Sequence, residues 1–298
     1  MTVLWNKEFD PSQVVTRIES SRKLKENGEV EFEGWGLQDY ISLIYSMLSF
    51  SDNLSESDAR QFIFKAIFTN GAKGSITVQN LLSEINRLDQ KYQSSPIERF
   101  VLATTISIDD YSIIQNIRLG RTQIIFEQEL SKKFHRFSNP LMKHAEEGLF
   151  AKLPNNYLNV RVHISSKSAR YAAEQALEAI DFVRGVWNWS LNRRHPTRMS
   201  FGGKPKPVNN IILGPVHTIH KPNGKLAIND TWWYEPSYLG SIQPFNATTE
   251  EVEKMNNILN HVIKVLNKHK YRPILQNAII RYTRALDERD WTTSFNKL

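Results

Sequence analysis

Between Phe182 and Asn229 the chain carries no carboxylate and eight cations, Arg184, Arg193, Arg194, Arg198, Lys204, Lys206, Lys221 and Lys225, with Trp187, Trp189 and Phe201 interleaved. Cationic side chains neutralise phosphates and an aromatic ring offers a face on which a base stacks, so this composition fits a nucleic-acid contact. The middle of the run, residues 193–206, reads as a loop in which Arg193, Arg194, Arg198, Lys204 and Lys206 meet phosphates and Phe201 meets a base. Its glycines and prolines are also what any long solvated connection uses. Trp187 falls on an apolar helical seam and reads as core, whereas Trp189 faces elsewhere. A second candidate surface is formed by Arg281 and Arg284, with Lys268, Lys270 and Arg272 at its approach. These residues either line an RNA groove or simply favour solvent.

Other constellations lead less far. Gly202-Gly203-Lys204 lacks the longer glycine-framed turn of a phosphate loop, and prolines follow it. His217 and His220 are three apart on an expected strand, which sends them to opposite faces and away from a shared metal. Glu235 beside Trp232, Trp233 and Tyr234 would suit a sugar cleft, yet glycoside hydrolysis needs a second carboxylate that nothing locates. The absence of cysteine excludes disulfides, thiolate zinc sites and cysteine nucleophiles. No metal or cofactor is expected.

The net charge of +7 is unevenly held: residues 1–150 have 17 Lys and Arg against 20 Asp and Glu, and residues 151–298 have 21 against 11. A surplus confined to one half concentrates a positive potential that attracts a polyanion. The apolar stretches fall short of the ~18 to 20 residues that span a bilayer, and the N-terminus lacks the basic-then-apolar order of a secretory signal. A cytoplasmic protein without a membrane span is expected.

Periodicity predicts the elements that must position these residues. Residues 1–95 read as helical, with helices at Ser12–Lys25, Leu37–Phe50, Glu56–Phe68 (ending at Asn70-Gly71) and Val78–Tyr92. From residue 97 to 240 a sheet and a long helix are expected: strands at Phe100–Ile108 and Tyr157–Ile164, and hairpins about Leu119-Gly120-Arg121 (from Ile113–Ile117 and Thr122–Phe126) and about Pro222-Asn223-Gly224. Leu158, Val160, Val162 and Ile164 share one buried face of their strand, with Asn159, Arg161 and His163 on a wet one. The long helix runs from Ser168 to about Asn192, with Ala173, Ala176, Ile180, Val183 and Trp187 as its seam.

A domain boundary is placed near residue 246. After it Thr248 and Glu251 form a capping box, and Val252, Met255, Leu259, Val262 and Leu266 form an apolar stripe. Pro273 suits the first turn of a second helix, whose expected buried face is Leu275, Ala278, Tyr282 and Leu286. A third helix would begin near Phe295. The fold class expected is thus a mixed α/β (α+β) region over 1–246, followed by an incomplete all-helical segment over 247–298.

The stretch from Asn277 to Leu298 resembles the opening of an ApeA-like HEPN domain, an all-helical module of prokaryotic conflict systems. There a helix carrying an aromatic residue, a basic residue and Ala-Leu is followed by an acidic turn and a helix that starts with Phe. Tyr282, Arg284, Ala285, Leu286, Asp287, Asp290 and Phe295 take those places, and the match covers Glu250–Leu298, about a sixth of the chain. The resemblance implies a cytoplasmic antiviral-defence protein of the abortive-infection or toxin type. It would be a homodimer or oligomer that answers a phage-derived trigger and senses or cleaves RNA. It also implies a metal-independent endoribonuclease whose arginine and histidine lie four to six residues apart. In such a pair histidine moves protons near neutral pH and arginine stabilises charge on phosphorus. No histidine in this chain has an arginine at that spacing before it. The pair is expected on a later helix, beyond Leu298, and no catalytic residue is assigned. The alternative is a non-catalytic module that binds nucleic acid or a phage component and oligomerises through its C-terminal helices.

Overall fold

The structure, a computed structural model, describes residues 3–33, 36–51, 54–109, 114–134, 157–195, 207–214, 216–228, 232–233 (backbone) and 243–287. The chain is mixed α/β, and all its described ladders pair antiparallel. It divides into two compact units at Ile97/Glu98, so the main division follows the expected change from helix to sheet rather than the boundary placed near 246.

The first unit contains β1 (Leu4–Trp5), α1 (Ser12–Ser20), β2 (Arg22–Leu24), β3 (Val30–Phe32), α2 (Leu37–Met47), β4 (Leu48–Ser49), α3 (Glu56–Lys73) and α4 (Val78–Ser94). Its core joins Val14, Ile18, Ile41, Ile44, Ile63, Ile67, Leu81 and Ile85. Two short ladders, β1 with β4 and β2 with β3, interrupt what periodicity reads as helix alone. α1 therefore stops at Ser20 and not Lys25, and Gly28, at φ +83°, turns the β2–β3 hairpin. α3 runs through Asn70-Gly71 to Gly74. Gly71 is no terminator, because a Cβ there would fall 3.1 Å from Val30 Cγ1, and the small residue lets the helix approach the hairpin.

The second unit is a six-stranded sheet in the order β10-β9-β5-β8-β7-β6, built from β5 (Glu98–Ile106), β6 (Ile117–Leu119), β7 (Thr122–Glu127), β8 (Leu158–Ser166), β9 (Val216–His220) and β10 (Trp232–Trp233). Alternation on β8 is as expected: Leu158, Val160, Val162 and Ile164 are buried. The opposite face is not simply wet. Asn159, Arg161 and His163 are half-buried, Arg161 pairs with Glu127, and the buried Phe134 ring lies 5.5 Å from the Arg161 guanidinium. The β6–β7 hairpin turns at Gly120, φ +61°, with Leu119 opposite Thr122, so β6 is shifted toward the turn relative to the expected Ile113–Ile117; Ile113 lies outside the described residues. Pro222-Asn223-Gly224 turns the β9 hairpin with Gly224 at φ +90°. The return strand is short, a bridge at Leu226 and then β10.

On the Val160 face lies α5 (Ala169–Arg194), opened by Ser168, whose hydroxyl accepts the Tyr171 N–H. All five expected seam residues are buried. Burial continues on every side of α5 from Ile180 to Asn188, wider than an amphipathic stripe, because the helix is covered on its second side by α6 (Thr249–Leu266) and α7 (Arg272–Asp287). Val252, Met255, Leu259, Leu266 and Ile280 belong to the same hydrophobic cluster as the sheet and α5. The two C-terminal helices thus find their core on α5.

The expected capping box of α6 is present, with both Thr248 and Glu251 bonds made. The expected buried face of α7 is corrected. Leu275, Ala278 and Tyr282 are exposed and Leu286 is half-buried, while Ile280, Thr283, Ala285 and Asp287 face inward. The inward face is selected because it brings Asp287 to Arg184 and sets Thr283 and Ile279 against Gly185. Residues 288–298, including the expected helix from Phe295, lie outside the described residues.

Candidate nucleic-acid interface

α5 leaves the interior abruptly near its end. Trp187 is 0% and Asn188 1% exposed, but Trp189 is 54% exposed, and Arg193, Arg194 and His195 are all exposed. Residues four apart lie on one side of a helix, separated by about 6 Å of axial rise, so Trp189 and Arg193 share the free flank. The sequence places Trp189 off the core seam. Only the structure shows that it meets solvent together with Arg193.

This end is held in place. The His195 N–H bonds the Leu191 carbonyl at 2.8 Å, its imidazole pairs with the Glu251 carboxylate at the start of α6, and its ring meets Phe245 edge-on at 5.3 Å. Burial would raise the pKa of Glu251, but bonds from the Thr248 N–H and from His195 hold it below the ordinary value, so it remains an anion. Asn192 and Asn188 clasp the segment from 209 to 211: Asn188 exchanges two bonds with the backbone of Ile211 at 2.8 and 2.9 Å, and Asn192 donates to Asn209 Oδ1 at 3.1 Å. The segment that resumes at residue 207 is therefore held against the end of α5. Arg198, Phe201, Lys204 and Lys206 themselves lie outside the described residues, as do Gly202, Gly203 and Glu235.

The other cations separate by environment. Arg184, part of the basic run in sequence, is 1% exposed and unavailable to RNA. Its guanidinium bonds Asp181 at 2.6 Å, Asp287 at 2.9 Å and the Ile211 carbonyl at 3.0 Å. Burial opposes its charge, but Asp287 and Asp181 outweigh that, and its pKa is raised. Burial raises the pKa of Asp287 against the pull of Arg184. Arg284 is half-exposed, and its Nε donates to Asp181 at 2.8 Å. It serves the α5–α7 contact, leaving Arg281 as the exposed member of the second candidate pair. Among the described residues Arg193, Arg194 and Arg281 form no ion pair.

His217 and His220 point to opposite faces of β9, as their spacing predicts. His220 Nδ1 lies 3.0 Å from the Gly224 carbonyl and Nε2 2.7 Å from the Thr218 hydroxyl, so neutral imidazole donates at Nδ1 and accepts at Nε2. His217 lies under α5 with Nδ1 2.8 Å from the Thr104 hydroxyl. Burial, with a smaller contribution from Arg184, pushes its pKa down to about 4. A depressed histidine stabilises the fold fully above its unfolded pKa, about 6.5, and loses that contribution as pH falls toward 4. His217→Gln should therefore flatten the acid side of the stability profile, with a difference on the order of 3 kcal/mol between pH 7 and pH 4, measured by urea unfolding of the full chain. An unchanged pH slope would refute the assignment.

Among the described residues no group of three or more His, Asp or Glu side chains could hold a metal ion, and no helix is long and apolar enough to cross a membrane. No family model, curated protein or solved structure matches the chain.

Proposed function

We propose that the protein binds single-stranded RNA along the emergent end of α5, with Trp189 stacking on a base and Arg193 and Arg194 neutralising phosphates. The cations at 198, 204 and 206 and the ring of Phe201 extend the contact. The observation that carries this is the exposure of Trp189, one helical turn before Arg193, directly after a stretch of α5 that is buried on every side from Ile180 to Asn188. Cations in the last turn also complement the helix macrodipole, but that does not account for an exposed indole beside them. With the HEPN resemblance, the role is that of a defence-associated RNA sensor in the cytoplasm, acting as a homodimer or oligomer that a phage-derived trigger engages. Trp189, Arg193 and Arg194 supply recognition, and none is assigned to cleavage.

Fluorescence anisotropy with a labelled uridine oligonucleotide tests this. Log affinity should fall with log salt by about 0.7 per neutralised phosphate, and R193Q/R194Q should lower that slope by about 1.4. Trp189→Ala should weaken binding by roughly 1 to 3 kcal/mol without altering the melting of the fold, because the side chain is exposed. A flat salt response, or full affinity in both variants, would overturn the proposal.

A further inference from the structure

An apolar stripe that begins at Tyr271, just before α7, and continues along the helix is left exposed among the described residues. Tyr271, Leu275, Ala278 and Tyr282 are all exposed, with Ile274 beside them at 65%. Their spacing of four, three and four residues is that of the a and d positions of a coiled-coil seam. A seam so narrow fits one facing helix, whereas a membrane-binding face is broader. Counting outward from it, Arg272 and Arg281 occupy flanking e and g positions, where charge selects the partner.

The charge is of one sign. Residues 267–286 hold Lys268, Lys270, Arg272, Arg281 and Arg284 and no carboxylate. Lys270 covers one side of Tyr271, its ammonium 4.9 Å from the ring centre. Arg284 is taken by Asp181, and Arg272 and Arg281 make no ion pair among the described residues. A second copy of this chain would set cations against cations across the seam, which is destabilising. The aliphatic Ile274 and Leu275 offer no stacking face to RNA.

We infer that the outer face of α7 docks an amphipathic helix of another protein, apolar at its a and d positions and acidic at the flanking ones. The site is independent of the RNA contact on α5.

Two peptides of about three heptads, both with leucine at a and d, provide the probe, one with glutamate at e and g and one with lysine there. The full chain should bind the glutamate peptide with an affinity that falls with salt, and the lysine peptide at least tenfold more weakly. Leu275→Asp should abolish the binding. R272E/R281E, which leaves the apolar stripe intact, should reverse the preference between the peptides. Equal binding of both peptides, or binding of neither, overturns the inference. So does a wild-type homodimer in sedimentation that Leu275→Asp dissociates, which would assign the stripe to a second copy. Binding to anionic vesicles that Leu275→Asp removes would assign it to a lipid surface and equally overturn the inference.

Discussion

Asp287→Ala should cost the second unit about 3 kcal/mol or more, because it strips one of two carboxylates from a guanidinium that has no route to water. Arg184 is 1% exposed, and its Nε already lacks a partner among the described residues. Asp287 also accepts from Asn209 Nδ2 at 2.7 Å, so the substitution removes one of the two bonds that this buried amide nitrogen donates, the other going to the Thr283 carbonyl at 2.8 Å. Removing one member of a buried pair is the costly change, while removing both and filling the space is often neutral. Hence R184M/D287L should recover most of the loss, with Asp181 still paired to Arg284. Hydrogen exchange of the α5 peptide under native conditions reports this unit separately from residues 3–97. If Asp287→Ala left the protection of α5 unchanged, or the double variant were worse than the single one, the network would not be holding α7 to α5.

The second large effect concerns Gly185. In a helix interior alanine is ordinarily better than glycine by about 1 kcal/mol. At Gly185 the sign should reverse, since a Cβ would lie 2.8 Å from Ile279 Cγ2 and closer still to the Thr283 hydroxyl. Overpacking of this kind costs about 1 to 3 kcal/mol, and Gly185→Val should cost more through its branched Cβ. Thr283 donates to the Ile279 carbonyl at 2.7 Å, so its hydroxyl is not free to swing clear. G185A/T283A should regain stability over Gly185→Ala in urea unfolding. A stabilised Gly185→Ala would mean that α5 and α7 do not approach so closely.

Much of the fold was legible in the residues. Alternation along β8, the α5 seam and the Thr248–Glu251 capping box are local devices, each specified within a few positions, and all stand where spacing puts them. The two small ladders near the N-terminus were not legible, because strands of two or three residues are too short to show a period. Gly71 looked like a helix end for the same reason: composition alone does not distinguish a terminator from a close-packing contact.

At the candidate interface the division runs through single side chains. Eight cations without a carboxylate between Phe182 and Asn229 are a property of the sequence. Their use depends on what lies across space. Arg184 is buried against an aspartate 103 positions away, Arg284 is paired to Asp181, and Arg193 and Arg194 reach solvent beside Trp189.

The sequence by itself determined where the longer helices and strands lie and where positive charge collects, because both are properties of neighbouring residues. Which cations are free, which stripe of α7 turns outward and where the two C-terminal helices find their core were decided only by the tertiary structure. α7 has an apolar stripe of Leu275, Ala278 and Tyr282 and a mixed face of Ile280, Thr283, Ala285 and Asp287, and local periodicity selects the first as the buried one. The opposite choice comes from Gly185 and Arg184 on another helix, which receive the mixed face and leave the apolar stripe on the surface.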